Sequence, residues 1–497
     1  MVHERALLGT PRCLIKEGPI LLYGIKSLSR RFHLLLSSFQ QSDSLTFSGV
    51  LTQDQIESAC EKHGVEFNPA VTFNPAIVLW GFLSQVIHKQ EARSCLAAVA
   101  RIGVVLVAMG RPRCVQNNGP YCRARCQFPL PVIRELTEDV ASRCEAQVPE
   151  DWLWKNRHVK LIDGTTVTMP DTEENQEAFP QQSCQKEGLG FPITRLVVII
   201  SLATAMVSGM SLGPFQGKET GELARLRELL GRFEAGDIAL ADKLYCAYFM
   251  IAMLKEANVD LVTLLHQARD ADAEIRRGKR LGKGDYLMTW HRPDRPDWMD
   301  KETYARMPEQ LELRLIQVKI PQRGFRPKSL DIVTTLTDPD QYSVDDLSTL
   351  YRDRWNVELD IRSIKVAMGM DVLRCKTPEM VGKEIWTCLL AYNLIRQKML
   401  QAAVAKDVSP REMSFTNALQ IVAAGWMVAP LLDKNTESVL TESELCSIAS
   451  QRVGKRPNRV EPRAVKRRPK PFRLLTMVRE KAQALLRKGI DPFKKQK

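Results

Sequence analysis

Between Arg157 and Leu264 the apolar residues recur at the spacing of strands, and this pattern limits the possible folds more than any other feature. HVKLIDGTTVTMP, RLVVIISLATA, MVSGMSLGPF and DIALAD follow one another as short runs rich in β-branched residues, each bounded by Gly, Pro or polar positions. Such runs make buried strands. A helical pattern over 245–257 and the apolar run VDLVTLL come next. Three strands followed by a strand–helix–strand unit imply a mixed α/β sheet with helices on its faces. The stretch 196–213 is about long enough to cross a bilayer, but Ser201, Thr204, Ser208 and Gly209 interrupt it. Two buried strands joined by a turn suit it better, and no transmembrane segment or signal peptide is expected.

The flanks are helical. Thr52 and Gln55 form a capping box ahead of QIESACEKHG, Asn74-Pro75 caps AIVLWGFLSQVIHKQ, a third helix covers 94–109, and a fourth opens near Pro131. Between His266 and Leu336 the segments YLMTW, LELRLIQVKI and LDIVTTL read as a β-rich insertion, and helical patterns resume at Val344 and continue past Val428.

The formal net charge is +13, yet it is not spread along the chain. From Arg452 onward there are 17 Lys and Arg against the acids Glu461, Glu480 and Asp491, a net of +14, which leaves −1 for residues 1–451. A basic tail attracts polyanions, nucleic acid first among them; the alternative is a solvated end. The 12 cysteines include no C-x-x-C pair. The nearest cluster, Cys114, Cys122 and Cys126, has no adjacent His, so free thiols in a reducing cytoplasm are the expectation.

Three acids stand where the pattern makes them costly. Asp163 follows the apolar run 159–162, and Asp242 ends the run 238–241. Carboxylates at the edge of a hydrophobic sheet need partners, and a hard divalent cation accommodates several at once; a strand-end turn or cap is the alternative for either one alone. The third is Glu358 in YRDRWNVELDIRSIK, where Tyr351, Arg354, Glu358 and Lys365 fall within about 60° of one another around a helix. A carboxylate between two cations suits phosphodiester chemistry, although a salt-bridged surface stripe would give the same spacing. The rival acids Asp171, Glu173, Glu174, Asp237, Asp353 and Asp360 lie in loops or off these faces.

The spacing Tyr351-x2-Arg354-x3-Glu358-x6-Lys365 resembles the signature of DDE transposases of the insertion sequence four family, whose catalytic domain is ribonuclease-H-like. LIDGTTVTMPDT resembles the family's first-aspartate strand, GDIALADKLYCAY its second, and AYNLIR and the tail RVEPRAVKRRPKPF also match. The likeness runs from about Phe39 to Leu475. It implies Asp163, Asp242 and Glu358 as the ligands of two Mg2+ ions, with Mn2+ able to substitute, and Arg354, Lys365 and Tyr351 as the residues at the transposon-end DNA. In a relative a tryptophan of the insertion stacks on a flipped base; Trp290 and Trp298 do not stand at the comparable place.

The resemblance implies a cut-and-paste enzyme that binds terminal inverted repeats, cleaves the ends, in part through a hairpin, and joins the freed 3′-hydroxyls to target DNA. A synaptic homodimer in the bacterial cytoplasm, at the nucleoid, is implied with it. The alternatives are a domesticated transposase that only binds DNA and another ribonuclease-H-fold nuclease. The expected organisation is an N-terminal extension (1–35), a helical DNA-binding domain (36–150), a catalytic core in two parts (155–265 and 337–400) around the β-rich insertion (266–336), a helical region (401–450) and the basic tail (451–497).

Overall fold

The structure is a computed structural model that describes residues 51, 53–65, 71–108, 117–319, 329–454 and 474–493. The capping position Thr52, the thiol Cys114 and residues 455–473 and 494–497 of the basic tail lie outside the described residues.

Among the described residues five helices come first: α1 (Gln53–Lys62), α2 (Pro75–Ile87), α3 (Cys95–Ala108), α4 (Gly119–Gln127) and α5 (Leu130–Glu145). Asn74 caps α2 as its sequence implies, its side chain accepting the Ile77 N–H, with Pro75 in the first turn. The helix α4 was not expected. GPYCRARCQ has no apolar stripe, and the helix starts on Gly119 with Pro120 in its first turn and only Tyr121 fully buried. The apolar side chains of α1–α5 belong to the same continuous core as the sheet and the later helices.

The sheet has nine strands: β1 (Val159–Thr168), β2 (Ile193–Ser201), β3 (Val207–Pro214), β4 (Ile238–Leu240), β5 (Asp260–Leu264), β6 (Lys279–Gly282), β7 (Asp285–His291), β8 (Gln310–Lys319) and β9 (Ser329–Thr334). Their order is β3-β2-β1-β4-β5-β9-β8-β7-β6. β1, β2 and β3 are antiparallel, β1, β4 and β5 parallel, and β9 returns antiparallel to β5. The suspected span 196–213 is thus the β2–β3 hairpin, and no described helix is long and apolar enough to cross a membrane. The β-rich stretch does not form a separate sheet. It prolongs the main one through β9, β8 and β7, and the buried pair Arg314–Asp285 (2.6 Å) ties β8 to the start of β7.

Short helices punctuate the strands: α6 (Glu173–Ala178), α7 (Glu222–Arg227), α8 (Tyr248–Glu256), α9 (Ala271–Arg277) and α10 (Lys301–Arg306). Then α11 (Val344–Asp353), α12 (Trp355–Arg362), α13 (Pro378–Lys406), α14 (Phe415–Gly425), α15 (Lys434–Ser450) and α16 (Arg479–Arg487) complete the chain. Over its 29 residues α13 is buried almost throughout from Met380 to Leu400 and packs against α2, α5, α14 and α15. A helix covered on all sides is apolar all round rather than striped. Two of its buried polar residues bond to other elements: Asn393 donates to Thr137 O and Val207 O and accepts the Val207 N–H, and Glu384 pairs with Arg93 at 3.0 Å. These bonds fasten α13 to the N-terminal helices and to β3, as burial of such groups requires.

Candidate active site

The two aspartates meet because of strand register. β1 and β4 are parallel neighbours paired Val159↔Ile238, Lys160↔Ala239 and Leu161↔Leu240. Asp163 and Asp242 each lie two residues beyond the last pair, so both stand at the same level, Asp163 in the middle of β1 and Asp242 just past the end of β4. Each commits one oxygen to the backbone. Asp163 Oδ1 accepts the Gly164 N–H at 2.8 Å and Asp242 Oδ1 the Leu244 N–H at 2.9 Å. The second bond makes Asp242 the cap of a short turn over Lys243–Tyr245, which delays the following helix to Tyr248. The capping alternative for Asp242 and its place beside Asp163 are therefore both realised.

Burial pushes the Asp163 carboxyl up to about 6; the nearby Asp242 and Glu222 carboxylates add to the rise, and the Gly164 N–H and Arg354 oppose it. Glu222 was not foreseen. It opens α7, and its carboxylate lies against Gly164, where a Cβ would come within 2.2–2.4 Å of it. Tyr245 Oη donates to Glu222 Oε2 at 3.1 Å, and burial holds the Glu222 carboxyl above its ordinary value. The glycine after Asp163 was the only sequence hint of that approach.

The signature segment crosses this end of the sheet, but not as one straight helix. It breaks at Arg354, between α11 and α12, and turns π-helical over Ser363–Ala367. Tyr351 is buried, and its phenol is raised chiefly by burial with Asp242 and Asp163 nearby. Arg354 Nη2 donates to Glu358 Oε1 at 2.8 Å. The wider π turn, a local irregularity common at functional sites, carries Lys365 to β1. There its ammonium donates to Thr165 Oγ1 (3.1 Å) and Thr166 O (2.7 Å) and is lowered by burial. Asp163, Asp242, Tyr351, Arg354 and Lys365 are thus brought to one end of the sheet, while Glu358 is tied to Arg354 and remains 37% exposed.

The donor chemistry of Asp163 and Asp242 suits a hard divalent cation, yet the expected three-carboxylate set is not assembled. Among the described residues no group of three or more His, Cys, Asp or Glu side chains is gathered closely enough to hold a metal ion.

Three of the rival acids have other partners. Asp171 accepts from Gln176, and Asp237 caps the turn before β4 through the Glu234 N–H. Asp360 is buried between Arg396 (2.7 Å) and Arg411 (3.0 Å). Trp290 is buried, donating to Glu274 Oε2 beneath the Arg269 guanidinium. Trp298, covered by Arg227 at 3.8 Å, lines a cavity with Leu244, Tyr248, Phe249 and His266 that adjoins the Asp242 turn.

Residues 154–394 match the family model of the transposase DDE domain. The two aspartate strands, the insertion and the Tyr-Arg-Glu-Lys segment all fall inside that span. It is 28% identical over 278 residues to the transposase InsG for insertion sequence element IS4 of Escherichia coli (strain K12), an alignment covering 54% of this chain and 58% of InsG. By these matches the chain is similar to transposases of the DDE type. A 64-residue stretch is 38% identical to the transposase for insertion sequence element IS421 of Escherichia coli, over 13% of this chain and 17% of that protein. Among solved structures, a piggyBac transposase synaptic complex with hairpin DNA superposes with a TM-score of 0.41 at 10% identity, over 81% of this chain and 84% of that one.

Proposed function

We propose that the chain is a cut-and-paste DNA transposase that cleaves the ends of its own element and transfers the 3′-hydroxyl strands into target DNA. One observation carries the reading. Parallel register sets Asp163 beside Asp242, and the Tyr-Arg-Glu-Lys segment is docked over the same strand ends through Lys365. An antiparallel trio β3-β2-β1 continued by parallel β4 and β5, with one aspartate in the middle of β1 and the other just past the end of β4, supports a ribonuclease-H-like core. In this reading Asp163, Asp242 and Glu358 together hold two divalent ions, Mg2+ in the cell with Mn2+ able to replace it. Such ions, when bound, activate the attacking oxygen and stabilise the leaving one. Arg354 offers a planar fork to a phosphate, Lys365 a point charge, and Tyr351 forms the buried wall beside them.

The helices α1–α5 would read the terminal inverted repeats, two subunits would pair two ends, and the basic tail would add phosphate contacts. The protein would act in the cytoplasm, at the nucleoid. Product chemistry tests the proposal. Incubated with Mg2+, a labelled duplex carrying the element's end and a target plasmid, the protein should yield joined end–target molecules. Nicking without joining would replace the transposase by a nuclease of the same fold, and binding with neither product would leave a DNA-binding protein.

A further inference from the structure

The geometry holds the third carboxylate away from the other two, and the agent that holds it is itself part of the signature. We infer that Arg354 is a latch: in the DNA-free protein it withholds Glu358 from Asp163 and Asp242, and a DNA phosphate that takes its guanidinium releases Glu358 to complete the carboxylate set. Metal loading is thereby coupled to DNA binding. The inference rests on the transposase reading above and adds a regulation of the same site.

Four observations carry it. First, the Arg354–Glu358 bond is direct at 2.8 Å, and no group of three acids able to hold a metal exists among the described residues. Second, the guanidinium is itself largely covered while Glu358 is partly exposed, so the acid, not the arginine, has room to swing. Third, the helix that bears Glu358 cannot swing as a body. Val357 is fully buried in the core, and Asp360, on the following half-turn, is gripped by Arg396 on α13 and by Arg411, which also donates to Ser201 O and Leu202 O at the end of β2. Release is therefore a rotation of the Glu358 side chain on a fixed helix. Fourth, the chain breaks its helix at Arg354, where the Val357 N–H reaches back only three residues to Arg354 O. Arg354 nevertheless keeps helical dihedrals (φ −51°, ψ −34°), so its side chain stays on the same helical face as Glu358, one turn on.

The exchange is chemically balanced as a swap of anions. A guanidinium binds a phosphate diester through the same paired N–H groups that bind a carboxylate, and a part-exposed ion pair is weak enough for a polyanion to displace.

The test measures Mn2+ binding to the full-length protein by the loss of the free-ion electron paramagnetic resonance signal. It is run with and without a short duplex carrying the element's end, with ions held by the duplex itself subtracted. The duplex should tighten Mn2+ binding to the wild type about tenfold, a usual size for coupling between two sites. Arg354→Gln should bind Mn2+ tightly without DNA and gain nothing further from it. Glu358→Gln should stay weak in both conditions. The double variant Arg354→Gln with Glu358→Gln should be as weak as Glu358→Gln; if it keeps the gain, the arginine acts only through its charge and the latch is refuted. A wild type whose Mn2+ affinity ignores the duplex also refutes the latch and leaves the site assignment standing. Unchanged Mn2+ binding after Asp163→Asn with Asp242→Asn would overturn the assignment and the latch together. Melting curves of each variant show that the fold is retained.

Discussion

Asp360 makes the sharpest prediction about what holds the signature helix in place. Its carboxylate is almost wholly buried between two guanidiniums, Arg396 at 2.7 Å and Arg411 at 3.0 Å. Arg396 is equally buried and bonds Tyr392 Oη at 2.9 Å. Among the described residues Asp360 is the only carboxylate bonded to Arg396, and Asp360→Ala leaves two cations facing each other in the core. Breaking a buried pair from one side costs about 3–5 kcal/mol, because the stranded charge keeps its desolvation penalty. A urea titration followed by circular dichroism should show a lower midpoint at unchanged slope. Asp340→Asn, at an exposed turn, should stay within about 0.5 kcal/mol of wild type. Replacing both partners, Asp360→Leu with Arg396→Leu, should recover part of the loss, since apolar side chains of similar size often match a buried pair. An Asp360→Ala protein within about 1 kcal/mol of wild type would refute the claim that this buried charge cluster anchors α12.

Three further outcomes follow from the same geometry. Because the Asp163 carboxyl is raised to about 6 from an ordinary value of 3.8, its ionised form burdens the fold above about 6, and the burden is relieved as pH falls toward 3.8. In chelator, Asp163→Asn should therefore melt higher than wild type above about pH 6, with the difference shrinking below it; a difference that grows in acid would contradict the burial argument. Gly164→Ala should drive the Glu222 carboxylate off Tyr245 at a cost of about 1 kcal/mol, the loss of one hydrogen bond whose flexible acid can turn to water. A crystal structure of the variant with Glu222 unmoved would count against it. Removing residues 455–497 should flatten the salt dependence of duplex binding, each lost phosphate contact reducing the slope by about one, as read from affinities across a salt series; an unchanged slope would mark the tail as a solvated end.

What was legible in the sequence was local or periodic. The change of spacing near Arg157, the β2–β3 hairpin hidden in a membrane-length apolar run, the Asn74 cap and the two aspartates that follow apolar runs all leave marks within a few residues of themselves. The signature segment was legible in its residues but not in its path. A uniform 100° per residue treats 351–365 as one rod, whereas the break at Arg354 and the π turn at 363–367 redirect Lys365 onto β1. Nothing in a helical wheel could place Asp360 between Arg396 and Arg411, since its partners come from other elements. Glu222 escaped for the same reason: it reaches Asp163 only through the fold, over the missing side chain of Gly164. The β-rich stretch was recognised as strands, but its union with the main sheet depends on β9 pairing with β5, a contact between distant segments. The long helix α13, buried on every side, shows no amphipathic period to mark its place at the centre.

The most direct test of the account compares wild type with Glu358→Ala on a labelled duplex carrying the element's own end, with Mg2+ and a target. Metal-dependent cleavage and joining by the wild type, and neither by the variant, is the expected result. Equal activity in both proteins would mean that Glu358 is not part of the site and that the three-carboxylate reading is wrong.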